Sequence, residues 1–433
     1  MLDLRFIREN TDAVKLAAQQ KGYAVDVDQL VQLDDERREI LQRVEELRRE
    51  RNEIALSAKQ SKRPTDEQIA RGKELKNTLL EQEERLKELQ DQVVALQKAI
   101  PNMPADDVPV GASEDENVVV KEVGEKPVFD FAPKNHFEIA EAKGWIDKER
   151  AAKVAGARFA YLKGDLVKLQ FAIINFVIHT LTSESVLQNI ATRAGLDVST
   201  KPFEPVLPPL MIKTDLYDAM DRLEPRDDRY KIEDEDLWLQ GSAEHVLGAM
   251  HSGEVFASDD LPRRYLGYAT SFRREAGTYG KDMEGIIRMH QFDKLEIESF
   301  SDAASGMNEH LLFVAIQEFL LEQLALPYRV VQKCSADIGK PNARGIDMDV
   351  WLPGQGKYRE THTADYMTDY QSRRLQTRVK TKTGELELVH TNDATAFALG
   401  RIMVAIIENY QTAEGNVRIP EALKPFIQSK NEI

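Results

Sequence analysis

From Leu30 onward, apolar residues return at every third and fourth position, with Leu30 and Val44 at a positions and Leu33, Ile40, Leu47 and Ile54 at d positions of successive heptads. That spacing keeps one apolar seam turned toward a partner helix. Arg37 and Arg51 take the two remaining a positions. A second run carries the same spacing through Leu75, Leu79, Leu86, Leu89, Val93, Leu96 and Ile100, with Gln82 as a polar interruption. Between the runs lies SKRPTDEQ, where Pro64 cannot continue a helix and Thr65 with Gln68 has capping-box spacing for a new one. The pattern predicts two helices of about 35 residues that reverse near Pro64, each about 50 Å long at the α-helical rise. Pro101 and Pro104 then stop the second helix.

A stalk or dimerising coiled coil with a solvated charged face is the plainer use of such a hairpin. Charge placement points elsewhere. The whole chain carries a formal charge of −16, which disfavours indiscriminate coating of nucleic acid. Residues 48 to 76, the distal half, nevertheless hold nine bases (Arg48, Arg49, Arg51, Lys59, Lys62, Arg63, Arg71, Lys73 and Lys76) against five acids. A basic tip on an acidic protein suits local contact with a phosphate backbone, and a rigid projection suits reading a large RNA by shape.

The remaining bulk features bound the problem. A length of 433 residues suggests two or three structural units, and 42 % apolar with 30 % charged residues supports a soluble globular protein. The start, MLDLRFIREN, has no apolar h-region, and no run of about 18 apolar residues is present to span a membrane. Cys334 is the single cysteine, so no intrachain disulfide or cysteine-based zinc site can form. A cytoplasmic location is expected, without membrane association.

Three regions are expected: an arm domain over 1–110, a linker over 111–135 rich in Pro, Asp and Gly, and a mixed strand-and-helix body over 136–433. VVVKEVG gives a short strand signal within the linker. The body has neither G-x-G-x-x-G nor G-x-x-x-x-G-K-[ST], so phosphate handling must rest on side chains. Three of its segments stand out. ARFAYLKGDLVKLQFAIINFVIHTL predicts a long helix followed by extended VLPPL. YATSFRREAGTYGKDMEGIIRMHQFDKLEIESF predicts strand, Gly-rich loop (Gly277, Gly280, Gly285) and strand, a hairpin presenting Arg273, Glu275, Arg288, Phe292 and Glu296. TAFALGRIMVAIIENYQ predicts an apolar helix opening just before Arg401. Taken singly, these read as core, a charged surface hairpin and a snorkelling arginine.

Taken in order, the three segments resemble motifs 1, 2 and 3 of class II aminoacyl-tRNA synthetases. FRREAG followed by RMHQFDKLE resembles motif 2 of bacterial-type serine–tRNA ligases (seryl-tRNA synthetases) almost residue for residue. With the arm in place, the resemblance covers nearly the whole chain. It implies an α+β fold: a long antiparallel coiled-coil arm, then a class II catalytic domain with an antiparallel sheet flanked by helices. It also implies a homodimer that uses ATP with Mg2+ to convert L-serine to seryl-adenylate. Transfer then goes to the 3′ end of tRNA(Ser), with tRNA(Sec) a further candidate acceptor.

The same resemblance assigns roles. Arg273 and Arg401 are the catalytic arginines, bridging the α-phosphate to the serine carboxylate and meeting the γ-phosphate respectively. ATP binding extends to Arg274, Glu275, Phe292, Glu360, Thr361, His362 and Thr363, with adenine between Phe292 and Arg401. Glu360 and Thr363 fall on the magnesium positions. Ser242, Ala243, Glu244, Arg273, Glu296 and Thr395 fall on the serine site, Glu296 taking the hydroxyl. The arm bases named above would grip tRNA. Three stretches depart from the family pattern: Ser242 stands for the usual threonine, Thr361 to Asp365 for a serine- and cysteine-rich stretch, and Asn392 to Thr395 for an asparagine-glycine-serine-glycine run. A noncatalytic, RNA- or partner-binding paralogue is the alternative. It has no need of Arg273, Glu275, Phe292, Glu296, Glu360 and Arg401 together. A carrier-protein ligase on the same core would lack the arm.

Overall fold

The computed structural model describes residues 1–60, 65–276, 285–427 and 431–433, with backbone only for residues 59 and 60. These fall into two compact units, Met1–Met103 and Pro104–Ile433.

In the first unit, helices α1 (Val27–Gln60) and α2 (Asp66–Ala99) pair along the predicted seam. Val44, Leu47, Leu75, Leu79 and Leu86 form one buried cluster flanked by Ile40, Leu41 and Ile54, while Leu30, Leu89, Val93 and Ile100 are buried further along. The capping box forms: Gln68 N donates to Thr65 Oγ1 at 3.2 Å, and Thr65 N to Gln68 Oε1 at 2.9 Å. The predicted reversal at Pro64 lies outside the described residues. Arg37, although at an a position, turns to Asp34, whose side chain is fully buried beneath Arg8 (3.1 Å), Arg37 (2.6 Å) and Arg38 (2.9 Å). A carboxylate in such a place is stable only because several cations and their hydrogen bonds replace its water.

The second unit is built on an eight-stranded sheet. Its elements in chain order are β1 (Val118–Val123), α3 (Asp165–Leu181), β2 (Glu204–Val206), β3 (Arg263–Phe272), β4 (Gln291–Ser301), α4 (Gly306–Gln323), β5 (Tyr328–Gln332), β6 (Arg344–Leu352), β7 (Lys357–Thr368), β8 (His390–Ala398) and α5 (Leu399–Asn409). The spatial order is β1-β5-β6-β7-β8-β4-β3-β2, antiparallel throughout except for β2 beside β3. The stretch 111–135, expected as a linker, supplies the edge strand β1, registered Val118 to Gln332 against β5. The long helix of the first segment is α3, and the hairpin of the second is β3–β4.

Alternation along the strands decides where the site lies. Leu295 and Ile297, Ala394 and Ala396, and Ile346, Met348 and Val350 turn to one face, where they join Leu312, Phe313 and Ile316 of α4 and Ile402, Met403 and Ile406 of α5 in the main core. The residues between them (Lys294, Glu296 and Glu298; Asp393 and Thr395; Asp347 and Asp349) must occupy the opposite face. The sheet therefore separates an apolar layer from a charged one. Among the described residues, no single helix is long and apolar enough to cross a membrane.

Candidate active site

On the charged face a cleft opens between the β3–β4 hairpin, β7 and the first turn of α5, lined by Arg273, Glu275, Phe292, Lys294, Glu360 and Arg401 among others. Arg273 leaves the end of β3. Its Nε donates to the Gly241 carbonyl at 2.9 Å, and its guanidinium carbon sits 5.4 Å from the Phe292 ring centroid. The hairpin closes here on His290, with Arg273 N donating to the His290 carbonyl at 3.0 Å and His290 Nδ1 lying 3.0 Å from the Arg273 carbonyl. Arg401 Nη1 donates to the Glu360 carbonyl at 2.9 Å and to its carboxylate at 2.8 Å. Glu275 holds φ at +52° and is ion-paired with Arg288. That conformation is uncommon outside glycine, and the ion pair fixes the carboxylate at the cleft wall.

A β-bulge brings Glu360 and Thr363 to the same face. Glu360 and Thr363 are three apart and would face opposite ways in a regular strand. Thr361 is passed over in the pairing, so Glu360 registers with Asp349 and Thr363 with Asp347, which brings both onto the cleft face. Thr395 reaches the cleft face by regular alternation, opposite Glu296, and a second irregularity just beyond it skips Ala396 and returns Phe397 to the core face beside Leu295. From beneath the sheet, fully buried Gln317 of α4 donates Nε2 to the carbonyls of Thr363 (2.7 Å) and Thr395 (2.9 Å). It thus serves backbone groups beside both bulges.

At the cleft's inner end Lys294 Nζ lies 2.5 Å from Glu296, 3.7 Å from Glu244 and 2.9 Å from the Ser242 hydroxyl, which accepts from it. Burial disfavours the ammonium, but Glu296 and Glu244 outweigh that and raise its pKa. Burial pushes the Glu296 carboxyl well above its usual range, against the pull of Lys294. Glu244 also meets a burial penalty, yet Lys294, His245 and Arg222 hold its carboxyl well below the ordinary value. Two carboxylates sharing one ammonium leave an acceptor for a small substrate's hydroxyl or ammonium group.

Of the residues proposed from sequence, Arg273, Glu275, Phe292, Glu360, Thr361, Thr363, Thr395 and Arg401 line the cleft together, and Ser242, Glu244 and Glu296 meet behind it through Lys294. Three stand apart. Arg274 is exposed and lies over the Tyr230 ring at 5.9 Å. His362 is buried, with Nδ1 2.7 Å from the Thr361 hydroxyl and its ring against Phe397. Ala243 is fully buried beside Leu247 and Phe256. Gly277 and Gly280 lie outside the described residues. Sequence reasoning passed over Lys294, although it sits between Phe292 and Glu296 at strand spacing; it also passed over Gln317, which nothing local marks.

On the arm, Arg48 pairs with Glu83 at 2.7 Å, and Arg71 with Glu50 (2.7 Å) and Glu74 (2.8 Å). Arg49, Arg51, Lys73 and Lys76 are exposed and have no ion-pair partner among the described residues. Lys62, Arg63 and the Lys59 side chain lie outside them.

Residues 1–104 match the profile of the seryl-tRNA synthetase N-terminal domain, and residues 230–410 that of the class II tRNA synthetase core domain (G, H, P, S and T). A serine–tRNA ligase of Geotalea uraniireducens is 39 % identical over 99 % of this chain and 98 % of its own. The chain belongs to the seryl-tRNA synthetase family. Another relative, the serine–tRNA ligase of Deinococcus radiodurans, is 38 % identical over 99 % of this chain and 97 % of its own. In structure, this synthetase is similar to the seryl-tRNA synthetase of Pyrococcus horikoshii complexed with ATP (TM-score 0.88, 36 % identity, covering 100 % and 99 % of the two chains). It is also similar to the cytoplasmic serine–tRNA ligase of Naegleria fowleri in complex with AMP (TM-score 0.84, 26 % identity, covering 100 % and 98 %). The α+β class II fold with its N-terminal coiled-coil arm, and the serine–tRNA ligase activity, therefore hold for this seryl-tRNA synthetase.

Proposed function

We propose that the cleft between β3–β4, β7 and α5 binds ATP and L-serine, and that the arm binds tRNA(Ser). One observation carries the reading: a single cleft joins the arginines and the aromatic ring suited to a nucleotide with the Lys294–Glu296–Glu244 cluster suited to a small polar amino acid. The serine carboxylate attacks the α-phosphorus, pyrophosphate leaves, and the 3′ hydroxyl of the terminal ribose then attacks the seryl carbonyl and displaces AMP. Carboxylate is a competent nucleophile and pyrophosphate a good leaving group, so the protein mainly aligns charges. Arg273 spans the carboxylate and the α-phosphate, where a planar guanidinium serves both. Adenine lies between Phe292 and Arg401, with Glu275 accepting from its amino group. Arg401 also meets the γ-phosphate. Glu296 accepts the serine hydroxyl, so that alanine would leave a buried polar group unmatched.

Glu360 and Thr363 offer two hard oxygen donors on one face, a set that fits Mg2+. Among the described residues no three or more His, Cys, Asp or Glu are grouped to hold a metal alone. Such a pair fits an ion that also takes phosphate oxygens from its nucleotide. When bound, Mg2+ neutralises phosphate charge. The exposed Arg49, Arg51, Lys73 and Lys76 suit the phosphate backbone of tRNA(Ser), with tRNA(Sec) as a second acceptor. A cytoplasmic homodimer completes the proposal, supported by family membership and by Phe171 on α3 and Leu207 and Met211 in the stretch just after β2, apolar residues left exposed.

Pyrophosphate exchange with each of the twenty amino acids tests the reading. Serine alone should support exchange, and Arg273→Ala should abolish it. Near-normal exchange in that variant would remove Arg273 from the assigned role.

A further inference from the structure

The three stretches that depart from the family pattern are neighbours in space. Asp365 of β7 registers directly with Asp393 of β8, and Asp393 directly with Glu298 of β4. Three carboxylates thus form a row across three adjacent strands on the cleft face. Glu296 and Lys294 precede Glu298 along β4 at two-residue steps, and Thr395 follows Asp393 on β8, so the row is the next rank of side chains behind the serine pocket. Both carboxylate oxygens of Glu298 are buried without a hydrogen-bond partner. Like charges directly opposite on antiparallel strands repel at Cβ separations of about 5 Å, and burial makes the repulsion worse. Burial and mutual repulsion push Glu298 well above the ordinary carboxylate range and Asp393 up to about 8, and a neighbouring cation eases that crowding.

Arg222 supplies it. From the segment after the helix Thr214–Ala219, its Nη2 reaches Asp393 at 3.4 Å, Asp365 at 4.0 Å and the Asn342 side-chain oxygen at 3.3 Å. The arginine is itself largely buried, with 16 % of its side chain exposed. Its charge also helps keep Glu244 ionised. Lys294 makes its contacts with Glu296, Glu244 and Ser242, and Lys333 with Asp337 and Asp347 at 3.8 Å each, so these two lysines act on Asp393 and Asp365 only from farther away.

We propose that Arg222 is a positioning residue for serine recognition: by bridging Asp365 and Asp393 it holds β8 against β7, so that Thr395 and the Lys294–Glu296–Glu244 cluster present a fixed set of donors and acceptors to the amino acid. The inference rests on the assignment of that cluster to serine. It makes the altered stretches around Asp365 and Asp393 one unit with Arg222, in which the added acids and the arginine compensate one another.

The test is pyrophosphate exchange by the full chain, with KM for serine and for ATP measured separately in Arg222→Met, Arg222→Lys and the double variant Arg222→Met/Asp393→Asn. Arg222→Met should raise the serine KM at least about tenfold while the ATP KM stays within about twofold, because the nucleotide end of the cleft does not touch the row. Arg222→Lys should recover part of the loss. The double variant, which removes the cation and one of its anions together, should return the serine KM to within about threefold of the parent. A serine KM unchanged in Arg222→Met, serine and ATP KM rising alike, or a double variant no better than the single would each overturn the proposal. Should Arg222→Met fail to fold, the double variant decides by itself: a serine KM raised about tenfold or more refutes compensation. Absence of serine-dependent exchange in the parent chain would instead refute the serine assignment.

Discussion

Replacing Lys294 by methionine keeps most of the side chain's volume and removes its charge from a site where only 6 % of the residue is exposed. Glu296, 2.5 Å away and itself 1 % exposed, would lose its cation, and the Ser242 hydroxyl its donor. Removing one member of a buried ion pair costs about 3–5 kcal/mol, because the partner stays desolvated and uncompensated. With a urea dependence of about 3 kcal/mol per molar, the unfolding midpoint of the catalytic unit should fall by about 1 M or more. Lys294→Met/Glu296→Gln removes both charges, and most of that loss should return, since exchanging both partners of a buried pair for neutral groups is close to neutral. Serine activation should not return. In both variants the serine KM should rise at least about tenfold, because Lys294→Met removes the cation that holds Glu296 in place and the double variant replaces the carboxyl acceptor itself. Urea titration followed by tryptophan fluorescence, together with pyrophosphate exchange, reads both quantities. A single variant within about 1 kcal/mol of the parent, or one with an unchanged serine KM, would refute the reasoning.

Gln317→Leu should leave the carbonyls of Thr363 and Thr395 without their shared donor and destabilise the catalytic unit by about 2–4 kcal/mol in urea titration; a loss below about 1 kcal/mol would mean that water serves them equally well. His310 of α4 is fully buried with its ring stacked on Tyr366, and burial, helped by the charge of Arg344, lowers its pKa to about 3. The folded protein therefore binds fewer protons than the unfolded chain between that value and about 6.5, so stability falls as pH drops through this window. In His310→Leu the slope of stability against pH should be shallower there by up to about 1.4 kcal/mol per unit, and parallel curves from pH 4.5 to 7 would contradict it. Replacing residues 40 to 90 by a short turn should leave serine activation within about threefold and cut tRNA charging at least about a hundredfold, and undiminished charging would exclude the arm from tRNA binding.

The arm was legible because heptad spacing, Pro64 and the Thr65–Gln68 box are local signals, each read within a few residues. The sheet was legible only in part. VVVKEVG reads as a strand, but nothing nearby says that it pairs with Tyr328–Gln332, some two hundred residues on, so the sequence alone leaves it inside a linker. Arg273, Phe292, Glu360 and Arg401 came together as their motifs imply. The bulges at Thr361 and beside Thr395, the support from Gln317 and the reach of Arg222 to Asp393 depend on which strands become neighbours, and spacing along the chain does not encode that. The Asp34 cluster escaped for a related reason: its third arginine, Arg8, comes from a different helix.

Because Ile297 and Glu296 are adjacent on β4, as are Ala394 and Asp393 on β8, the pairing register that buries the core is the same one that exposes the chemistry. A slip of one residue between these strands would send Ile297 to the charged face and Glu296 into the apolar layer beneath it. A register error that displaces the site therefore also buries charge in the core, so it carries a folding penalty as well as a catalytic one.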